Sequence, residues 1–270
     1  MRIAFLGGGN MAGALIGGLI AKGSDPRSIS VIEMSPAVRE KLGARYPVHV
    51  STAPDAMMQR SDVLVLAVKP QDMKAALASI ASFSKEKLIV SVAAGIRIAT
   101  LSRWLGGHRR IVRCMPNTPA LIGAGISGLF ASADVSAEEK QRAESILRAV
   151  GEVVWMPEER LLDPVTAVSA SGPAYVFWFI EQLAASAVKL GIPKDAALKM
   201  AKQTVLGSAL LASQSAESPE TLRKNVTSKG GTTEAALKVF DEAKLAEHFA
   251  RAVAAASKRG EELGSELGKD

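Results

Sequence analysis

The chain is poor in the residues that carry redox, metal and stacking chemistry. Cysteine occurs once in 270 residues, as Cys114. That excludes an internal disulfide framework and suits a reducing compartment. The apolar neighbours Ile111 and Val112 make Cys114 read as a small core residue rather than a reactive thiol. Histidine occurs only at 49, 108 and 248, without ligand spacing, so no metal site is expected. Aromatics make up 4% and no dense Lys/Arg cluster appears, so the net charge of +6 suits a small anionic ligand, and no nucleic-acid partner is expected. No apolar run reaches the roughly 18–20 residues of a spanning helix, so no membrane partner is expected either. Met1-Arg2 leads straight into an apolar stretch with no cleavable leader, and the expected location is cytoplasmic. What remains is ordinary for a globular protein: 48% hydrophobic and 22% charged residues, with length enough for one large or two modest cores.

Residues 3–13, Ile-Ala-Phe-Leu-Gly-Gly-Gly-Asn-Met-Ala-Gly, read as a buried strand entering a glycine turn that opens a helix over Ala14 to Lys22. Gly7, Gly9 and Ala12 fit the pattern G-x-G-x-x-G/A. Gly7 permits the tight turn, Gly9 lets backbone approach a pyrophosphate, and Ala12 lets the helix pack close to the strand. Unpaired amides and the positive dipole end at the helix start complete a phosphate cradle. Glycine turns are common, but one placed between strand and helix specifies a dinucleotide site, with Leu6, Gly7, Gly8, Gly9, Asn10 and Met11 as cofactor contacts.

Short apolar runs alternate with amphipathic stretches through the first half. Strands are expected at Arg2–Leu6, Ser30–Glu33, Val48–Val50, Val63–Ala67, Leu88–Ser91 and Ile111–Cys114, with helices starting near Asn10, Pro36, Ala53, Gln71 and Ile98. Such alternation implies parallel pairing with right-handed crossovers, an α/β doubly wound sheet of Rossmann type. Gly125–Ala131 lacks a preceding helix and suggests an antiparallel addition. Ser136-Ala137-Glu138-Glu139 reads as a helix cap, and Glu152–Trp155 as a last strand. After Pro157 only helical patterns follow, from Leu161–Val168 to Lys244–Leu263. The segment Ala174–Val188 is apolar nearly all round and needs cover on every face, from its own domain or from a second copy. The expected organisation is therefore a dinucleotide-binding domain over 1–160 and an all-α dimerisation and substrate-binding domain over 161–270.

Three further strand ends aim chemistry at the same crevice. Ala67, Val68, Lys69 and Pro70 follow one, where Lys69 suits a phosphate or ribose; a solvated lysine and a helix-starting proline also explain the pair. Ala93, Ala94 and Gly95 end the next in small residues, against which a flat ring can lie. Met115-Pro116-Asn117-Thr118-Pro119 ends another, with prolines stiffening a loop that presents Asn117. The 2′ end of the cofactor stays open. Glu33 stands 21 positions past Ala12, where an acid commonly accepts the ribose 2′-hydroxyl. Ser35-Pro36 with Arg39 instead forms a helix start suited to a 2′-phosphate, although plain capping also accounts for Ser35.

Two loops of the second half are rich in donors. Ser169-Ala170-Ser171-Gly172-Pro173 precedes the apolar helix, either as a cap or as a ligand contact through Ser171. Thr227-Ser228-Lys229-Gly230-Gly231-Thr232-Thr233 carries more hydroxyls and glycines than capping requires. Its amides and hydroxyls suit a substrate carboxylate.

In their order and spacing these segments resemble the pyrroline-5-carboxylate reductase family, over essentially the whole chain. The carriers are Phe-Leu-Gly-Gly-Gly-Asn-Met at 5–11, 67–70, 91–95, 115–119, 171–175 and 228–233. The resemblance implies reduction of L-1-pyrroline-5-carboxylate to L-proline, the last step of proline biosynthesis, with NADPH as hydride donor and NADH as the alternative. It implies a homodimer through the C-terminal helices, with assembly into a higher ring in many members. Ser171, Ser228, Gly230, Gly231, Thr232 and Thr233 would bind substrate, and the Thr233 hydroxyl would reach the imine nitrogen. Lys224, Lys229 and Glu33 depart from the family's habit. The chemistry agrees with what is missing: no histidine lies in any motif, and a basic imine arrives protonated, so placement within about 3–3.5 Å of the hydride donor supplies much of the rate. A β-hydroxyacid dehydrogenase would want a lysine nearer Ser171-Gly172-Pro173 than Lys189, and a non-catalytic dinucleotide sensor would have no use for the 227–233 loop.

Overall fold

A computed structural model describes residues 1–269. Strand β1 (Ile3–Leu6) leads into α1 (Asn10–Ala21), then β2 (Ile29–Ile32), α2 (Pro36–Arg45), β3 (His49–Ser51) and a single turn α3 (Ala56–Gln59). Next come β4 (Val63–Leu66), α4 (Met73–Ala78), α5 (Ala81–Ser84), β5 (Leu88–Ser91), α6 (Ile98–Trp104), β6 (Ile111–Met115), β7 (Gly125–Ala131), α7 (Ala137–Leu147) and β8 (Gly151–Trp155). Helices follow: α8 (Leu162–Val165), α9 (Gly172–Lys189), α10 (Lys194–Gln214), α11 (Pro219–Asn225), α12 (Thr232–Glu242) and α13 (Leu245–Leu267). Two helix starts fall later than their pattern suggested. The Asp55 carboxylate caps the amides of Met57 and Met58, so α3 begins after it. Pro70–Asp72 forms a 3₁₀ turn that delays α4.

The eight strands form one sheet in the order β3-β2-β1-β4-β5-β6-β7-β8. The first six are parallel neighbours, β7 runs antiparallel to β6, and β8 is parallel to β7. Strands β1, β4 and β5 are buried along their whole length, as continuous apolar runs must be when helices cover both faces. Side-chain alternation splits the core in two. Ile3, Phe5, Val63 and Val65 pack with Leu15, Ile16 and Leu19 of α1 and Ile146 and Leu147 of α7. Ala4, Leu6, Leu64 and Leu66 pack with Met73 and Leu77 of α4 and Leu101 of α6. Cys114 is fully buried, and burial pushes its thiol far above the ordinary range. The capping box at α7 is present, Ser136 Oγ accepting from the Glu139 amide and the Glu139 carboxylate from the Ser136 amide.

Contacts divide the chain into a first unit, Met1–Ser171 with the stretch from Ala255 onward, and a second, Gly172–Ala254. This division falls after Ser171 because the segment from Glu159 to Ser171 is tied to the sheet. Glu159 accepts from the Ile98 amide and from Arg113 of β6, and the Asn117 amide donates to the Ser169 carbonyl. In the second unit α9 packs along α10, and Tyr175 meets Phe249 edge-on, ring centres 6.0 Å apart. No residue of α9 is buried, and Phe177 and Trp178 are 59% and 57% exposed. Large apolar side chains of α10, α12 and α13 are likewise open, among them Leu210, Phe240 and Phe249. No helix among the described residues is long and apolar enough to cross a membrane.

Candidate active site

The turn between β1 and α1 sits at the C-terminal ends of three adjacent strands. The Gly7 amide donates to the Ile32 carbonyl at 2.8 Å, and the Ala67 amide to the Leu6 carbonyl at 2.8 Å. Gly7 has φ +97°, and a Cβ there would stand 2.9 Å from the Ala67 carbonyl and from Val68 Cγ1. Only glycine fits. Gly9 is different: its φ is −65°, and a Cβ on it would meet no protein atom within 4 Å. It caps α1 with no side chain accepting from the first-turn amides. An anionic ligand is the natural partner for such a helix start, and Gly9 leaves the space for it. The open cradle and the clash-bound Gly7 fit a dinucleotide pyrophosphate.

The acid at the end of β2 closes the same turn. Glu33 Oε2 accepts from the Gly8 amide at 2.8 Å, and Oε1 from the Ser35 amide at 2.7 Å. Arg39 Nη1 donates to the Glu33 and Met34 carbonyls at 3.0 and 2.7 Å. Ser35 caps α2 without a side-chain hydrogen bond.

The other strand ends are partly as expected. Lys69 is exposed beyond β4 and precedes the turn begun by Pro70. After β5 the buried Ala93 and the half-buried Ala94 lead to Gly95 (φ +77°), where a Cβ would lie 3.0 Å from Leu267 Cδ1. The last turns of α13 thus back this loop, and Arg103 Nη2 donates to the Gly268 carbonyl at 2.9 Å. Asn117 departs from expectation, since its side chain is not free. Oδ1 accepts from the Ile126 amide at 2.9 Å, and Nδ2 donates to the Ser169 carbonyl at 3.2 Å. It fastens β7 and the segment before Ser171 to the end of β6, so its part here is positioning.

Two features of the first unit escaped the sequence reading. Thr166–Ala170 is a π-helical turn, closed by the Ser171 amide donating to the Thr166 carbonyl at 2.9 Å. Wide turns of this kind recur at functional sites. Buried Arg113 donates to Glu159 at 3.3 Å and to Asp163 at 3.5 Å, while Arg97, in the turn after β5, lies 3.6 Å from Asp163. The available signal was an arginine inside the apolar strand Ile-Val-Arg-Cys-Met.

In the second unit the 227–233 loop turns sharply at Gly230, φ +72°. The Gly231 amide donates to the Ser228 carbonyl at 3.0 Å, which folds Ser228 Oγ over Gly231, where a Cβ would collide with it. Gly231 caps α12 with no side-chain partner, leaving the amides of Thr232 and Thr233 at an uncapped helix start. Ser228 and Thr232 are exposed, Thr233 half-buried. The Gly230 amide is engaged, donating to Glu234 Oε2 at 2.7 Å. Glu234 was not anticipated; the acid in the first turn of α12 was its only signal. Among the described residues no cluster of three or more His, Cys, Asp or Glu groups suits a metal.

Comparison with known proteins extends both halves. A family model described as pyrroline-5-carboxylate reductase dimerisation matches residues 159–263, and one described as NADP oxidoreductase, coenzyme F420-dependent, matches residues 2–95. The pyrroline-5-carboxylate reductase of Pseudomonas aeruginosa is 45% identical over 269 residues, covering 99% of this chain and 98% of that protein. The solved structure of a pyrroline-5-carboxylate reductase from Coxiella burnetii is 42% identical with a TM-score of 0.93, over 97% of this chain and 98% of that one. The Plasmodium falciparum pyrroline carboxylate reductase, solved with NADP bound, is 27% identical with a TM-score of 0.85, over 98% of each chain.

Proposed function

The chain belongs to the pyrroline-5-carboxylate reductase family, and on that premise we propose how its own residues carry the reaction. The protein reduces L-1-pyrroline-5-carboxylate to L-proline at the expense of NAD(P)H. It is a homo-oligomer through its dimerisation segment. The observation that carries the residue assignment is the pair of uncapped helix starts, α1 behind Gly9 and α12 behind Gly231. Each offers free amides to an anion, the first to a pyrophosphate and the second to a carboxylate.

When bound, the nicotinamide supplies the hydride that adds to the imine carbon. Leu6, Gly7, Gly8, Gly9, Asn10 and Met11 shape the cradle for the cofactor. Lys69 and Pro70, with Ala67 and Val68 behind them, border it, as do Ser35 and the small residues Ala93, Ala94 and Gly95. Ser228 Oγ and the amides of Thr232 and Thr233 hold the substrate carboxylate, with Gly231, whose own amide donates to the Ser228 carbonyl, giving them a cap that has no side chain in the way. Gly230 contributes the bend rather than its amide, which Glu234 already takes. The Thr233 hydroxyl meets the imine nitrogen and keeps the protonated C=N oriented, and Ser171 lends a further hydroxyl. No strong acid is required, because the nitrogen carries its proton into the reaction and keeps it as the amine of the product. Hydride and proton together account for the two hydrogens gained.

Residues 1–160 are proposed as the cofactor-binding part and 161–270 as the part for dimerisation and substrate. The apolar side chains open on α9, α10 and α12 suit a homodimer interface, and a ring of dimers extends the proposal. A single cysteine supports a cytoplasmic setting.

The test is oxidation of NADH and of NADPH with L-1-pyrroline-5-carboxylate, run beside a panel of β-hydroxyacids with the oxidised cofactors. Turnover of the imine alone is expected. Cofactor binding without imine turnover would favour a sensor and overturn the assignment.

A further inference from the structure

We propose that Glu33 sets the choice of dinucleotide and makes this chain favour NADH over NADPH. The inference rests on reading the β1–α1 turn as the cofactor cradle. The Glu33 carboxylate is fixed from both sides: Oε2 accepts from the Gly8 amide at 2.8 Å and Oε1 from the Ser35 amide at 2.7 Å. These are donors from the glycine turn and from the cap of α2, the place where a phosphate on the adenosine ribose would look for amides. They already hold an anion belonging to the protein. Arg39 Nη1 donates to the carbonyls of Glu33 and Met34, so one arm of the guanidinium beside this turn is already taken.

Chemical matching then separates the two cofactors. A ribose 2′-hydroxyl is a donor, and each carboxylate oxygen keeps a lone pair to accept it. A 2′-phosphate is an anion that would face a fixed carboxylate and lose its amides to it, so like charges oppose it at short range. A carboxylate that merely stiffened the turn would weaken both cofactors equally when removed. A discriminating one changes their ratio.

The experiment measures dissociation constants directly, by calorimetric titration with NADH, NADPH, 5′-AMP and 2′,5′-ADP, for the wild-type protein, Glu33→Gln and Glu33→Ser. The wild type is expected to bind NADH and 5′-AMP about tenfold or more tighter than their 2′-phosphorylated counterparts. Glu33→Gln, similar in shape but neutral, narrows that gap, and Glu33→Ser, which frees both amides, closes or inverts it. A wild type that binds NADPH as well as NADH overturns the proposal, and so do variants that shift all four ligands alike. If Glu33→Ser does not fold, the wild-type ratio and Glu33→Gln decide. Binding of none of the four would overturn the cofactor cradle itself, and this inference with it.

Discussion

Arg113 and Asp163 form a buried ion pair, Nη2 to Oδ1 3.5 Å, with side chains only 3% and 4% exposed. The pair ties β6 to α8, and through Arg97 to the turn after β5. A buried pair contributes little net stability, but removing one partner leaves the other charge stranded. Asp163→Ala is therefore expected to cost about 3 kcal/mol, the low end of the usual range, because Glu159 still accepts from Arg113. Denaturant unfolding measures it. The double variant Arg113→Met with Asp163→Leu should recover most of the loss. A single variant within about 0.5 kcal/mol of wild type would show that the cluster is not stressed by losing its acid.

How far the sequence speaks follows from the kind of interaction involved. The sheet was legible because β1 and β4 are unbroken apolar runs, β5 breaks only at its final Ser91, and each crossover among the first six strands carries a helix. Gly7 was legible because its role is steric and local. The Arg113–Asp163 pair joins residues fifty positions apart, and nothing in either neighbourhood announces the other. Asn117 shows a different limit. A polar side chain between two prolines looked free for a ligand, yet both ends of its amide are used to hold β7 and Ser169. Hydrogen bonds between distant segments decide such cases, and they have no signature in spacing. The open surface of α9 was half legible: its composition demanded cover, and within one chain that cover is missing.

The two glycines of the cradle should separate folding from binding. Gly7→Ala forces a Cβ to 2.9 Å from the Ala67 carbonyl at φ +97°. It should cost about 1–3 kcal/mol of stability and lose cofactor binding together. Gly9→Ala meets no protein atom within 4 Å, so its stability should stay within about 0.5 kcal/mol of wild type. Its Cβ nevertheless enters the space proposed for the pyrophosphate, and NADH affinity should fall by about tenfold or more, read by fluorescence titration. Unchanged affinity in Gly9→Ala would move the pyrophosphate elsewhere.

His108 gives the protein an acid-sensitive spot. Burial holds its pKa below the ordinary value of 6.5, so the folded protein keeps it neutral where the unfolded chain would protonate it. Between the lowered value and 6.5 the unfolded state binds more protons, and stability must fall as pH falls. Above 6.5 the effect vanishes. His108→Gln should flatten the slope of unfolding free energy between about pH 5 and 7, measured in urea at each pH. An unaltered slope would assign the acid sensitivity to carboxylates instead.

Thr233 is the residue on which the proposed chemistry turns. It is the second residue of α12, half-buried, and Gly231 rather than any side chain occupies the cap. Removing its hydroxyl should therefore leave the helix intact, with melting temperature close to wild type. The hydroxyl is assigned to the imine nitrogen, where it orients the protonated C=N for hydride addition. Loss of one positioned hydrogen-bonding group at a reacting centre typically costs about a hundredfold. Thr233→Ala should lower kcat by that order, while the dissociation constant for NADH stays unchanged. Thr233→Ser keeps the hydroxyl, whose oxygen can still accept from the protonated imine, and should retain most of the rate, which separates hydrogen bonding from packing. Full turnover in Thr233→Ala would remove the hydroxyl from the reaction and leave the 227–233 loop as a carboxylate clamp alone.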